Sequence, residues 1–303
     1  MTAPTSSTPS PAPPSRIAAW VEAMRLRTLP VSVAGVLMAV ALATMHGTFM
    51  WLPSLICLIF ALLAQIASNF ANEYFDYRDG LDRKGRVGPR RGVTEGDITP
   101  RAMRNAALIT LGGAALTGCT LLLWGGWWLL LAGILIIAGA LAYSAGPYPL
   151  SRHGWGEVAV VLFFGIAPVT LTYWLQTHNV PLQVWLTAIG TGLLGANVLI
   201  VNNYRDRADD AAVGKHTLAV KFGARFASAL YLIGGIAAMA LMAPVWLPRP
   251  TLWVWTVIYL AIHIGIWRKL RATTGTELNP LLGQTAILMF CNSAAYLISA
   301  IPL

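Results

Sequence analysis

The sequence predicts an all-α, polytopic integral membrane protein with about nine transmembrane helices. Three observations lead there. Of 303 residues, 56% are hydrophobic and 11% charged, whereas about a quarter of a soluble domain is charged. Six long stretches hold no Asp, Glu, Lys or Arg, and the basic residues fall almost entirely on alternate connections between them. A charge at the bilayer centre costs about 2.5–3.5 kcal/mol on insertion, so the uncharged stretches mark the spans.

Residues 28–72, 105–151 and 158–204 are uncharged runs of 45, 47 and 47, each with room for two helices of about 20 residues and a turn. Each run is interrupted near its middle, by His46-Gly47, by Trp124-Gly125-Gly126-Trp127 and by residues 176–181, QTHNVP. These are turn or interfacial residues that a continuous apolar helix would not carry. The runs 226–248, 250–267 and 278–303 hold one helix each, which completes nine. Ahead of them, residues 1–15 (MTAPTSSTPSPAPPS) are rich in Pro, Ser and Thr and uncharged. They predict a disordered tail, without the basic start of a cleavable signal.

With nine helices the connections alternate between the two membrane faces. One face then receives 20 of the 21 Lys and Arg residues and the other only Arg249. By the positive-inside rule, the amino terminus and the large charged loops are cytoplasmic and the carboxyl terminus is external. The formal net charge of +9 is therefore topology and excludes a nucleic-acid binder, which needs a soluble basic face. Cys57, Cys119 and Cys291 lie in apolar spans without CxxC pairing and are expected to pack, as are His46, His178 and His263. No Walker, Rossmann or zinc pattern is present.

The acidic residues carry the functional signal. Nine of the 12 fall in two windows: Glu73, Asp76, Asp79, Asp82, Glu95 and Asp97, then Asp206, Asp209 and Asp210. Both windows follow a helix running to the cytoplasmic face, so they can meet. Residues three or four apart share a helix face. Asn72, Asp76 and Asp79 therefore form one stripe, and Asn202, Asp206 and Asp210 another. Carboxylates stacked this way repel, and two such stripes call for a cation between them. Oxygen donors without His or Cys suit Mg²⁺, whose shell is completed by water and substrate phosphate.

Basic residues flank both stripes: Arg83, Lys84, Arg86, Arg90 and Arg91 after the first, Lys215 and Lys221 after the second. Gly85, Gly88 and Gly214 among them let backbone approach an anion. Together the windows point to a magnesium-diphosphate site at a membrane surface. Arg25 and Arg27, at the start of the first span, are candidates for a substrate carboxylate, and Tyr143 and Tyr148 for the wall of an aromatic pocket. Glu157, just inside the fifth span, needs a partner, for which Arg152 is the nearest in sequence.

At these residues the chain resembles the UbiA superfamily of intramembrane aromatic prenyltransferases. That family's first motif is NDxxDxxxD, matched at Asn72 and Asp76, and its second is DxxxD, matched by Asp206 and Asp210. Two positions depart from the pattern. Glu73 stands where Asp is usual, and Gly80 stands where the last Asp would fall, with Asp79 and Asp82 on either side. Residues 20–30 (WVEAMRLRTLP), 82–91 (DRKGRVGPRR), 143–157 (YSAGPYPLSRHGWGE) and 202–223 (NNYRDRADDAAVGKHTLAVKFG) resemble segments of its MenA branch, the 1,4-dihydroxy-2-naphthoate polyprenyltransferases.

The resemblance implies a UbiA-like bundle over residues 16–303 in a bacterial inner membrane, acting on a polyprenyl diphosphate and an aromatic acid. It implies Mg²⁺ held by Asp76 and Asp206, with Asn72, Asn202, Asp210 and Asp79 or Asp82 assisting. Arg86, Arg91 and Lys215 would clamp the diphosphate, and Arg25, Tyr143 and Tyr148 would serve the acceptor. Other readings are a different acceptor such as 4-hydroxybenzoate, a CDP-alcohol phosphotransferase and a transporter. The phosphotransferase motif Asp-Gly-x-x-Ala-Arg is broken after Asp79-Gly80 by Leu81-Asp82-Arg83-Lys84. A transporter would carry charges near the midplane, and here they sit at span ends.

Overall fold

Apolar sequence with turn residues at intervals folds as helices because only helices satisfy every backbone group inside a bilayer. A computed structural model describes residues 14–301. The chain runs α1 (Arg16–Met24), α2 (Leu29–Met45), α3 (Trp51–Arg78), α4 (Pro100–Thr120) and α5 (Trp128–Ser144). It continues through α6 (Gly156–Thr177), α7 (Leu182–Ala212), α8 (Leu218–Leu241), α9 (Pro250–Ala272) and α10 (Asn279–Ala300). Among the described residues, eight helical segments are long and apolar enough to cross a membrane, α1 and α2 counting as one, and α5 is a shorter apolar helix. That matches the nine expected spans, and the chain is a multi-pass membrane protein.

The three interruptions fall where the sequence placed them. α2 ends at Met45, the chain turns at Gly126 with φ 73, and α6 stops at Thr177 before His178 at φ 52. Of the expected tail, residues 1–13 lie outside the described residues. Ser15 belongs to the fold instead, because its Oγ accepts from Ala18 N at 3.2 Å and caps α1.

Helices neighbouring in sequence pack together, and α10 returns to α2, so the bundle closes on itself. One side is solid: α2 and α7 to α10 bury Met38, Leu42, Leu194, Tyr231, Met239, Leu252 and Met289 between them. His263 is part of it, stacked between Tyr231 and Tyr259 with no exposure. Here α6 and α7 touch backbone to backbone, since a Cβ on Gly165 would lie 2.3 Å from Gly192 Cα. Small residues let helices approach this way in lipid, where apolar burial alone does not drive association. The other side, bounded by α2 to α7, is hollow. Its outer wall is α5, in which only Leu129 and Ser144, at the two ends, are buried.

Candidate active site

Both acidic windows sit on helices that outrun their apolar segments. α3 continues to Arg78 and α7 to Ala212, so Asn72 and Asp76 stand near Asn202, Asp206 and Asp210 at one end of the bundle. The charges there interlock. Lys215 Nζ lies 3.2 Å from Asp76 Oδ2 and 3.8 Å from Asp210 Oδ1, bridging the two stripes. Arg86 donates through Nη1 to Asp82 at 3.1 Å and through Nη2 to Asp206 at 2.9 Å. The side chains of Asp76, Asp82 and Asp206 are 1%, 3% and 2% exposed, and removing a carboxylate from water without cations beside it would be costly.

Asn72 lies between these groups and the helix ends. Its Oδ1 accepts from Arg25 Nη2 at 2.7 Å and Arg91 Nη2 at 3.3 Å, while its Nδ2 donates to Ser144 Oγ at 3.0 Å. Arg25 reaches it because the chain breaks between α1 and α2: Arg25 adopts φ 55, ψ 54, a left-handed conformation that costs a non-glycine residue about 1 kcal/mol or more. Among the described residues Arg25 has no carboxylate within 4.0 Å.

Other side chains do not stand where the sequence suggested. Tyr148 is 54% exposed, stacked on the His153 ring at 3.7 Å and outside the cavity that Tyr143 lines, because the Gly146-Pro147 bend swings it outward. Asp79 caps the end of α3 at the surface, paired with Arg78 and Arg152 at 2.7 Å each; the bond from Arg78 holds its carboxyl below the ordinary range. Asp82 stays behind the cavity wall and fixes Arg86 and Arg91, the latter at 3.4 Å; burial pushes its carboxyl up. Arg152 pairs with Asp79 and Asp76, at 2.7 and 3.5 Å, instead of Glu157, which accepts from Asn203 Nδ2 at 3.0 Å.

Arg205 is a residue that sequence reasoning passed over. Its side chain is 1% exposed and grips both oxygens of Asp206, Nε to Oδ1 at 2.6 Å and Nη2 to Oδ2 at 2.8 Å. It also donates to Asn202 Oδ1 at 2.8 Å and to Asn279 Oδ1 at 3.0 Å. Asn279 Nδ2 in turn donates to the Val87 carbonyl at 3.4 Å, so α10 is tied to the loop that carries Arg86. Gly88 lies under this contact, where a Cβ would meet the Arg205 and Arg86 guanidinium nitrogens at 2.9 and 3.0 Å.

The charged end opens into a cavity of about 790 Å³ lined by Arg25, Asn72, Asp76, Arg86, Arg91, Tyr143, Asn202, Asp206, Asp210 and Lys215, and deeper by apolar residues of α2 to α6. Among the described residues no three acidic side chains stand together as a ready metal-ligand set. Basic side chains bridge them. The donors nonetheless suit a hard cation: Asp76 Oδ1, in the cavity lining, is buried with no hydrogen bond and only the longer 3.5 Å contact to Arg152, and neither thiolate nor imidazole belongs to the set.

Residues 32–294, which include both acidic stripes, match the model of the UbiA prenyltransferase family. The chain belongs to that family. A UbiA-family relative, the 1,4-dihydroxy-2-naphthoate octaprenyltransferase of Escherichia coli (strain K12), is 40% identical over 237 residues, 75% of this chain and 77% of its own length. The protein of that name from Mycobacterium tuberculosis is 35% identical over 283 residues, 90% of this chain and 93% of its own. A UbiA homolog from Archaeoglobus fulgidus, solved bound to GPP and Mg²⁺, shares the fold with a TM-score of 0.64 at 18% identity, over 92% of this chain and 99% of its own.

Proposed function

We propose that this chain is a 1,4-dihydroxy-2-naphthoate polyprenyltransferase, acting as one transmembrane domain over residues 16–303. It transfers a polyprenyl group from an allylic diphosphate to the naphthoate with loss of CO₂, giving a demethylmenaquinol. The observation that carries this reading is the junction of a head region rich in buried acids and bases with an apolar cavity of about 790 Å³. That combination suits a donor with an anionic head and a greasy tail. The Escherichia coli and Mycobacterium tuberculosis relatives support the acceptor.

Asp76, Asp206 and Asp210, with Asn72 and Asn202 beside them, would hold Mg²⁺, which when bound neutralises the diphosphate. Arg86, Arg91 and Lys215 meet the negative charge that grows on the diphosphate as the allylic C–O bond breaks and its electron pair leaves with oxygen. Asp82 keeps Arg86 and Arg91 aimed. Arg25 takes the carboxylate of the aromatic acid and Tyr143 flanks its ring. The ring carbon bearing the carboxylate bonds to the allylic carbon; departure of CO₂ returns a pair of electrons to the ring. Apolar walls keep water from the allylic cation. The positive-inside bias supports a head region in the cytoplasm, and the Escherichia coli and Mycobacterium tuberculosis relatives support a bacterial inner membrane.

A labelled prenyl-transfer assay tests the reading, offering 1,4-dihydroxy-2-naphthoate or 4-hydroxybenzoate with an allylic diphosphate, with and without Mg²⁺. Mg²⁺-dependent product from the naphthoate alone is expected. Product from the benzoate alone would overturn the acceptor assignment and leave the family untouched.

A further inference from the structure

Glu73 stands next to Asn72 on α3, at the position where the family pattern carries Asp, and its side chain is 2% exposed. Its Oε1 accepts from the Val93 backbone N–H at 3.0 Å. Val93 belongs to the helical turn Gly92–Glu95, which opens directly after Arg91. Glu73 Oε2 lies 4.0 Å from Arg91 Nη1. One carboxylate therefore faces both the backbone that carries Arg91 and the guanidinium at its tip.

The turn is seated around this bond. Val93 and Ile98 are buried with Phe70 of α3 and Met103 of α4, and the Asp97 and Ile98 amides donate to the Gly92 carbonyl at 2.8 and 3.1 Å. Gly92 is closed over: a Cβ there would lie 3.1 Å from Ile98 Cδ1 and 3.6 Å from Glu73 Oε1. Arg91 is aimed back at the first stripe, where Nη2 donates to Asn72 Oδ1 at 3.3 Å and Nε lies 3.4 Å from Asp82. Side-chain length makes the arrangement possible. An Asp at position 73 would fall short by about 1 Å or more, and a 3.0 Å bond stretched that far is no longer a hydrogen bond. The buried Val93 N–H would then lack an acceptor, which costs more than the bond itself contributes.

We infer that Glu73 is a positioning residue that holds Arg91 in place through the Gly92–Glu95 turn, and is not a ligand of the metal. The inference rests on the prenyl-transfer reading, in which Arg91 meets the diphosphate. Glu73 borders the cavity, so the two roles compete, and they ask opposite things of the side chain. A metal ligand needs the negative charge and tolerates the shorter Asp that the family carries. An acceptor for Val93 needs the length and tolerates the neutral amide oxygen of Gln.

The test compares Glu73→Asp and Glu73→Gln with the wild type in two ways: steady-state transfer from geranyl diphosphate to 1,4-dihydroxy-2-naphthoate, and hydrogen exchange of residues 91–98 in the protein without substrate or Mg²⁺. Glu73→Gln is expected to stay within about threefold of the wild type in kcat/KM, with the same Mg²⁺ requirement and the same slow exchange. Glu73→Asp is expected to raise KM for the diphosphate about tenfold, with KM for the naphthoate little changed. Exchange at Val93 should speed up about tenfold or more in that variant alone. The reverse ranking, an active Glu73→Asp with native exchange beside an inactive Glu73→Gln, overturns the inference and returns position 73 to the metal. Equal behaviour of the two variants overturns it as well. Should Glu73→Asp fail to fold, Glu73→Gln decides alone, and loss of Mg²⁺-dependent transfer in it overturns the inference. A wild type that transfers no prenyl group would defeat the prenyl-transfer reading, while the exchange comparison would still test the bond.

Discussion

The guanidinium of Arg86 donates to the carboxylate of Asp206 at 2.9 Å, across 120 positions of sequence. This contact fastens the loop after the first acidic stripe to the helix of the second, and under the proposed function it would place a cation beside the departing diphosphate. Arg86→Ala is expected to lower kcat/KM for the prenyl diphosphate by about a hundredfold or more, the usual loss when a donor to developing charge is removed. Arg86→Lys keeps the charge but not the fork that spans Asp82 and Asp206, so steady-state assays should place it between the two.

Asp76→Ala and Asp206→Ala should both abolish turnover while the chain still inserts. Their stabilities should differ. Without Asp76, Lys215 keeps Asp210 at 3.8 Å. Without Asp206, the buried Arg205 loses its carboxylate, a loss of about 3–5 kcal/mol for a buried pair. Thermal unfolding of the purified variants in detergent should show the larger drop for Asp206→Ala; turnover retained by both would remove these residues from the metal site.

Chelation should silence the enzyme reversibly. With all-oxygen donors, Mg²⁺ or Mn²⁺ is expected to restore transfer after EDTA treatment. Full activity in excess chelator would dismiss the metal.

Arg25 holds a strained backbone and a guanidinium bonded to an amide instead of a carboxylate. Arg25→Ala is expected to raise KM for the aromatic acid about tenfold, with KM for the prenyl diphosphate little changed. The reverse pattern would assign Arg25 to the diphosphate.

Gly192 packs against α6 so closely that a Cβ would lie 2.7 Å from the Val161 carbonyl oxygen. Gly192→Val should therefore sharply reduce the yield of folded protein, measured as the monodisperse fraction after extraction; normal yield would mean that the two helices can part.

The acidic stripes were legible because carboxylates are costly beside apolar spans and i, i+4 spacing fixes their face. The nine spans were legible on the same physical ground, since a water-soluble fold would have to place charged residues within runs of that length. Arg205 was hidden: as sequence it is one more basic residue at a span end, and its burial depends on Asn279, 74 positions later. Tyr148 was misplaced because a loop built on Gly and Pro has no period from which direction can be read. Glu157 illustrates the limit of proximity, for its partner Asn203 lies 46 positions away while Arg152 turns elsewhere. The apolar lining of the cavity had no signature, because helices apolar all round do not reveal which face lines a hole.

Asn279 opens the last helix and donates to a carbonyl in the loop after α3. A chain grows from its amino terminus, and its parts fold in that order. Through the synthesis of α3 to α9, then, the acids and bases of the head region are joined only by their own ion pairs, without the Asn279 strut. Until α10 has entered the membrane, Arg205 Nη1 lacks its Asn279 acceptor and the Val87 carbonyl its donor, so the loop that carries Arg86 gains its tie to α10 after the two acidic helices are already in place.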